Sequence, residues 1–167
     1  MEIEIKIREA GMDDLHEIGE LAHDIWPTTY GHIISKDQLD YMLDMMYSPE
    51  SLASQIEEHE HTFLIAEIEE QPVGFASFSE TRADGIYKLH KLYVLPGNQG
   101  SGLGRALLEA VIEEIRPFGG SALQLNVNRH NKAVSFYEKL GFETVGEEDL
   151  DIGNGYFMND YIMEKKL

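Results

Sequence analysis

The stretch LYVLPGNQGSGLGR, residues 92–105, places four glycines within eight positions. It follows an apolar run over 86–95 that predicts a strand, and it leads into an amphipathic helix predicted over 103–115. Glycine lets the backbone approach a ligand and adopt positive φ, and the first amides of a helix have no internal partners. Because these amides and the helix dipole attract anions, the stretch predicts a phosphate-binding turn.

Two nucleotide-binding motifs do not match this turn. A P-loop requires Lys and then Ser or Thr after its last glycine, whereas Leu103-Gly104-Arg105 follows Gly102. The dinucleotide fingerprint G-x-G-x-x-G does not match glycines at 100, 102 and 104, and the preceding strands form a predicted hairpin. The phosphate ligand therefore belongs to another class.

The rest of the chain alternates strands and helices without a linker or repeat, which predicts a single domain over 1–167. The predicted strands span 2–8, 61–69, 73–81, 86–95, 123–127, 142–149 and 156–165. The predicted helices span 12–25 (ended by Pro27), 35–46, a short segment from 48, 103–115 and 132–140. Two late strand–helix–strand passages predict parallel neighbours, so a mixed sheet is expected.

The composition narrows the class of protein. The 167 residues include 43% hydrophobic and 26% charged residues, ordinary values for a globular chain. No apolar run approaches the ~18–20 residues that span a membrane. The absence of cysteine excludes disulfides, thiolate metal sites and a cysteine nucleophile, and it suits a reducing compartment. A soluble cytoplasmic protein is expected.

The net charge of −18 argues against nucleic acid as a partner, because polyanion binding requires clustered Lys and Arg. Strong acidity attracts cationic substrates over long distances, but it also simply maintains solubility. Both interpretations stay open at this stage. The histidines show no metal-ligand spacing, so no metal is expected.

Two motifs resemble those of the GNAT superfamily of N-acetyltransferases, and the resemblance extends over nearly the full length. The coenzyme A loop of that family, Q/R-x-x-G-x-G/A, corresponds to QGSGLG at 99–104. An Asn-containing turn, a helix ending in Tyr and a Gly-Phe pair correspond to NKAVSFYEKLGF at 131–142. The resemblance implies an α/β (α+β) GNAT fold, with a mixed, mostly antiparallel sheet of six to seven strands flanked by helices. It also implies a splayed parallel pair that binds coenzyme A.

The resemblance further implies acetyl-CoA as cosubstrate and assigns its contacts. Backbone groups of Leu92 and Val94 pair with the pantetheine arm. The pyrophosphate is bound by the backbone amides of Gln99, Gly100, Ser101, Gly102, Leu103, Gly104 and Arg105. The Arg105 side chain either adds charge there or is a solvated surface group. Counting back from Tyr137 puts the usual Asn of the second motif at His130, and the contact is assigned to Asn131.

Acetyl transfer to an amine requires a neutral amine and a protonated leaving thiolate. Without Cys or a Gly-x-Ser-x-Gly elbow, direct attack in a ternary complex is expected. Tyr137, at the position of the family's catalytic tyrosine, is the candidate acid, because a phenol of pKa about 10 protonates a thiolate. His90 is the candidate base, since an imidazole titrates near ~6.5, and Glu80 is the fallback.

The acceptor is expected between the N-terminal helices and the sheet, as in the family. Trp26 and Tyr30 lie there, either lining an aromatic cleft or packing in the core. The segment IWPTTY, 25–30, resembles GNAT proteins related to the PaiA spermidine/spermine acetyltransferases. A small cationic, polyamine-like amine is the leading acceptor. A protein N-terminus or lysine, and a non-catalytic acyl-CoA sensor, are the alternatives. A homodimer is the commonest assembly and the one to test.

Overall fold

The computed structural model describes residues 4–98 and 102–167. The strands within them are β1 (Lys6–Glu9), β2 (Thr62–Ile68), β3 (Gln71–Glu80), β4 (Ile86–Val94), β5 (Ala122–Asn128), β6 (Glu143–Gly153) and β7 (Tyr156–Lys166). The α-helices are α1 (Leu15–Tyr30), α2 (Lys36–Tyr47), α3 (Pro49–Glu57), α4 (Leu103–Ile115) and α5 (Ala133–Lys139). None of the described helices is both long and apolar enough to span a bilayer.

The strands form one sheet in the order β1-β2-β3-β4-β5-β7-β6. The β4–β5 pair is parallel and every other pair is antiparallel, which confirms the mixed, mostly antiparallel sheet. Only the first strand–helix–strand passage, β4–α4–β5, yields parallel neighbours. The second prediction of parallel neighbours was wrong, because β7 lies between β5 and β6. The last two strands form a hairpin, and β7 pairs with β5 along all of Ala122–Asn128.

Helix α1 does not end before Pro27, as the sequence predicted, but continues to Tyr30. Proline lacks an N–H and so loses one helical hydrogen bond. The last turn nevertheless buries Trp26 and Tyr30 at 1% and 5% exposure, and the Gly31 N–H donates to the Pro27 carbonyl. Burial of two aromatic side chains stabilises the turn by several kcal/mol, about as much as an internal proline costs.

Helices cover both faces of the sheet and create two cores. Helix α4 packs on one face against Leu64, Phe78, Leu89 and Leu125. Helices α1 to α3 pack on the other face, over Phe63, Ile65, Phe75 and Tyr93. The second face is the one expected to hold the acceptor.

Strand β4 carries two irregularities that position the site. Ser77 of β3 pairs with Lys91 and Phe78 pairs with Leu89, so His90 is the additional residue of a β-bulge. In addition, β4 pairs with β5 only from Ile86 to Leu89, although both strands continue further. Beyond Leu89 the two strands diverge, as expected for the splayed parallel pair.

Candidate active site

A cleft of about 420 Å³, here called the main cleft, opens where β4 and β5 diverge. Strand β4, helix α1 and the start of α5 form its walls. Five of the predicted site residues line it: Leu92, Val94, Gly104, Asn131 and Tyr137. The two sequence motifs therefore meet at one cleft.

The backbone of β4 is oriented to receive an extended ligand. The Leu95 N–H donates to the Val73 carbonyl at 2.8 Å, so the backbone groups of Leu95 point toward β3. Successive residues of a strand direct their N–H and C=O groups to opposite edges. The backbone groups of Leu92 and Val94 therefore point to the edge where β5 has diverged, which is the orientation that pairing with a pantetheine arm requires.

The amino end of α4 lies at this cleft, where Gly104 is one of the lining residues. Gly102 caps α4 at φ +83°, a conformation that side-chain-bearing residues rarely adopt. Leu103 is buried in the core, so only its backbone can contact a ligand. At Gly104 a Cβ would lie 3.3 Å from the Phe136 ring, so the missing side chain keeps space open between α4 and α5. The predicted contacts of Gln99, Gly100 and Ser101 lie outside the described residues.

The Arg105 side chain lies on the exposed surface of α4. Its Nε donates to the Glu109 carboxylate at 3.0 Å, one turn later on the same helix. Both side chains are more than half exposed, and Arg105 is not among the cleft residues. Of the two interpretations left open by the sequence, this geometry favours the solvated surface arginine, and only its backbone amide remains a candidate contact.

Tyr137 lies on α5 with 6% of its surface exposed, and it lines the main cleft. Its ring packs against Phe136 and Phe142 at 5.2 and 5.4 Å between centroids. Burial raises the pKa of Tyr137 above its ordinary value, and the nearby Tyr30 adds to the rise. The phenol is therefore protonated at neutral pH, the state that a proton donor needs.

Asn131 holds the turn that begins α5. Its Oδ1 accepts a hydrogen bond from the Ala133 N–H at 2.9 Å, and its backbone N–H donates to the Asn128 carbonyl. An Asx turn of this kind occupies the side-chain oxygen. The amide nitrogen is the group that would donate to a ligand in the cleft.

His90 has a different environment from the one expected. Its Nε2 forms a 2.7 Å hydrogen bond with the Ser79 hydroxyl, and its ring stacks on His61 at 3.9 Å with an 8° tilt. Burial, together with smaller contributions from His61 and Lys91, lowers the pKa of His90 to about 3. This environment disfavours a titration near neutrality, because a residue packed against another imidazole loses the water that stabilises its charged form.

Of the residues expected on the acceptor side, Trp26 and Tyr30 pack together, whereas the fallback base Glu80 lies apart from them. Tyr30 lies at the divergence of β4 and β5, where its hydroxyl bonds to Tyr93 at 2.9 Å. Burial raises the pKa of Tyr30 to about 12. Trp26 is 1% exposed and packs in the core against Tyr30 and Tyr93, so it does not line the cleft. Glu80 is exposed and pairs with Tyr87, at the opposite end of the β3–β4 ladder.

A second, smaller space lies beside the main cleft and is called the inner opening. It measures about 40 Å³ and is lined by Tyr30, His90, Asn126 and Tyr137, among others. Sequence reasoning had missed Asn126, as well as Thr28, His32 and Lys132 in the main cleft. Isolated polar residues on a strand or helix have no distinctive local pattern, so only the packing of α1 and α5 against the sheet could have identified them.

A buried cation beneath α3 was also missed. The Lys91 Nζ donates to the Gln55 Oε1 at 2.6 Å and lies 5.6 Å from the centroids of Tyr47 and Phe63. Burial lowers the pKa of Lys91 to about 8. The bulge at His90 places Lys91 on the same face of the sheet as His90, whereas strict strand alternation would place the two side chains on opposite faces.

Comparison with known proteins identifies the family. The family model for the acetyltransferase (GNAT) domain matches residues 33–164. The chain is 29% identical to an uncharacterized N-acetyltransferase of Bacillus subtilis, YuaI, over 89% of this chain and 86% of that protein. It is also 29% identical to a spermidine N(1)-acetyltransferase of Thermoplasma acidophilum, over 97% of both chains.

The fold gives the same result. The crystal structure of the PaiA N-acetyltransferase of Thermoplasma acidophilum, in complex with coenzyme A, superposes with a TM-score of 0.83 at 29% identity. The match covers 98% of this chain and 99% of that one. The family model spans well over half of the residues, and the cleft lies where β4 and β5 diverge, next to the start of α4. This chain therefore belongs to the GNAT family of acetyl-CoA-dependent N-acetyltransferases.

Proposed function

We propose that this enzyme transfers the acetyl group of acetyl-CoA to a primary amine of a small, polyamine-like cation, by direct attack in a ternary complex. The observation that carries the proposal is that Tyr137 lines both the main cleft and the inner opening. A thioester entering along β4 and an amine entering from the inner opening would therefore meet at the same phenol. No enzyme nucleophile is needed, and the chain contains no cysteine.

In this mechanism the amine nitrogen forms a bond to the thioester carbonyl carbon. The tetrahedral intermediate then collapses, the carbon–sulfur bond breaks, and the sulfur takes the Tyr137 hydroxyl proton. Tyr137 regains a proton from solvent after release of the products. The buried phenol is protonated at neutral pH and so has a proton to donate, although the same burial makes it a weaker acid than a free phenol.

The amine must also lose a proton, because free alkylamines have a pKa of about 10.4. His90 stays the candidate base, since it lines the inner opening. With its pKa lowered to about 3, it is neutral throughout the neutral pH range and can accept the proton only transiently, before passing it to water. Glu80 is not proposed for this role, because it is exposed at the far end of β3.

Two observations support a cationic acceptor. The chain carries a net charge of −18, which attracts polycations over long distances. The Thermoplasma relative, similar over 97% of both chains, is named as a spermidine acetyltransferase. A protein N-terminus or lysine is the second candidate class of acceptor. The position of Tyr137 in the cleft favours an enzyme over an acyl-CoA sensor that has lost turnover.

The cellular setting belongs to the same proposal. The lack of cysteine supports a reducing compartment such as the cytoplasm, and the acidity supports a partner other than nucleic acid. A homodimer is proposed only because it is the commonest assembly, and light scattering after size-exclusion chromatography would measure it.

An acetylation screen tests the function. The panel contains spermidine, butylamine, a lysine peptide and a peptide with a free N-terminus, and the assay detects the coenzyme A thiol and the mass of the product. The proposal predicts that spermidine gives the highest kcat/KM. Preferential acetylation of a peptide would refute the acceptor class, and acetyl-CoA binding without thiol release from any amine would favour the sensor.

A further inference from the structure

Two carboxylates share one hydrogen-bond donor, Asn126, which lines the inner opening. The Asn126 amide nitrogen lies 3.3 Å from a Glu148 oxygen and 3.4 Å from the Asp160 Oδ2. Glu148 and Asp160 are directly opposite each other on β6 and β7. Like charges in this position destabilise a sheet.

Asp160 is buried without full compensation. It is 6% exposed, and among the described residues its Oδ1 has no hydrogen-bond partner. Burial raises the pKa of Asp160, and Glu148 adds to the rise. A buried carboxylate oxygen without a donor is costly, which makes Oδ1 a candidate partner for a donor from outside the chain.

The neighbouring cations do not supply it. Arg129 donates from Nε to the Asp160 backbone carbonyl, while its guanidinium pairs with Asp149. Lys88 is close enough for its charge to oppose the rise in the Asp160 pKa, but it forms no ion pair with either carboxylate in the described part of the chain. Within the described residues, no cation therefore pairs with the Asp160 Oδ1.

The carboxylates also lie on the acceptor side of the site. Asp160 is two residues from Met158, so it faces the side of the sheet that α1 and α2 cover. Its charge contributes to the raised pKa of Tyr30, which lines the inner opening. Asn126 lines that opening as well and connects it to the two acids.

We propose that Asp160 and Glu148, bridged by Asn126, bind the distal ammonium group of a polyamine whose reacting amine lies in the inner opening beside Tyr137. This inference rests on the proposed function and assigns the residues that select its acceptor. A monoamine such as butylamine has no second cation, so it would gain nothing from the pair.

The test compares Asp160→Asn and Glu148→Gln with the control Asp149→Asn. Each variant removes one negative charge at nearly constant shape, and Asp149 is an exposed neighbour that pairs with Arg129. Because charged hydrogen bonds are among the stronger ones, the KM for spermidine should rise roughly 10- to 100-fold in the first two variants. The KM of both variants for butylamine should stay close to the wild-type value. The control Asp149→Asn should retain wild-type kinetics with spermidine. An equal rise for spermidine and butylamine, or no rise at all, would overturn the inference.

Calorimetry separates this inference from the proposed function. Spermidine is titrated into the coenzyme A complexes of the wild type and of Glu148→Gln. Glu148 is half-buried, so its replacement is less disruptive to folding than that of the buried Asp160. Weaker binding in the variant supports the subsite, even if spermidine is never acetylated and the proposed activity fails. Equal affinity for both proteins, or no binding to the wild type, refutes the subsite.

Discussion

The low pKa of His90 predicts a specific loss of stability in acid. The pKa falls from 6.5 to about 3 on folding, so between these values the unfolded chain binds a proton that the folded protein excludes. This contribution to stability is fully present above pH 6.5 and is lost as the pH falls toward 3. Replacement by asparagine removes the titration and keeps a polar partner for Ser79.

The magnitude follows from linkage. Each tenfold difference in proton affinity corresponds to about 1.4 kcal/mol, so lowering the pH from 7.5 to 4.5 should cost the wild type about 2.7 kcal/mol through His90 alone. Partial solvent exposure of the ring reduces this to about 2 kcal/mol. His90→Asn should lose correspondingly less stability over the same range.

Urea unfolding at pH 7.5 and 4.5 measures the difference. His16→Asn is the matched control, because His16 is an exposed histidine that pairs with Glu20 on α1, and the variant should follow the wild type. An NMR titration of the His90 ring gives the pKa directly. A midpoint near 6.5, or equal acid losses in the wild type and His90→Asn, would refute the argument from burial. In kinetics, any inflection of kcat/KM near neutrality should persist in His90→Asn.

Three further predictions concern the cosubstrate, the acid and the buried cation. Gly104→Val should weaken acetyl-CoA binding roughly 5- to 150-fold by calorimetry, because its side chain would occupy cleft space next to Phe136 and overpacking costs about 1–3 kcal/mol. Unchanged affinity in a folded variant would contradict the cleft assignment. Tyr137→Phe should lower kcat roughly 10²- to 10⁴-fold with little change in acetyl-CoA affinity, and near-normal turnover would leave Tyr137 a packing role. Burial lowers the pKa of Lys91 from 10.5 to about 8, so the stability of the wild type relative to Lys91→Met should rise by about 3 kcal/mol between pH 8 and pH 10.5. A pH-independent difference in urea unfolding would argue against this cost of burial.

Much of the coenzyme side of the site could be predicted from the sequence, because its features are local. The positive φ of Gly102 and the start of α4 both lie within residues 92–105. The caps of α2 and α3 are equally local, because the Ser35 and Ser48 hydroxyls accept hydrogen bonds from the Gln38 and Ser51 N–H groups. Such features depend on the conformational preferences of a few successive residues, which the sequence states directly.

The acceptor side was decided by tertiary structure. The His61–His90 stack joins residues far apart in the chain, and the Asn126, Glu148 and Asp160 group forms only because β7 inserts between β5 and β6. A one-residue bulge at His90 places Lys91 on the same face of the sheet as His90, and burial lowers the pKa of His90. Strand order, register and burial arise from long-range packing. The sequence by itself therefore determined the family and the coenzyme motifs. The folded chain set the environment of the acceptor groups, because their pKa values and pairing depend on neighbours that no local pattern specifies.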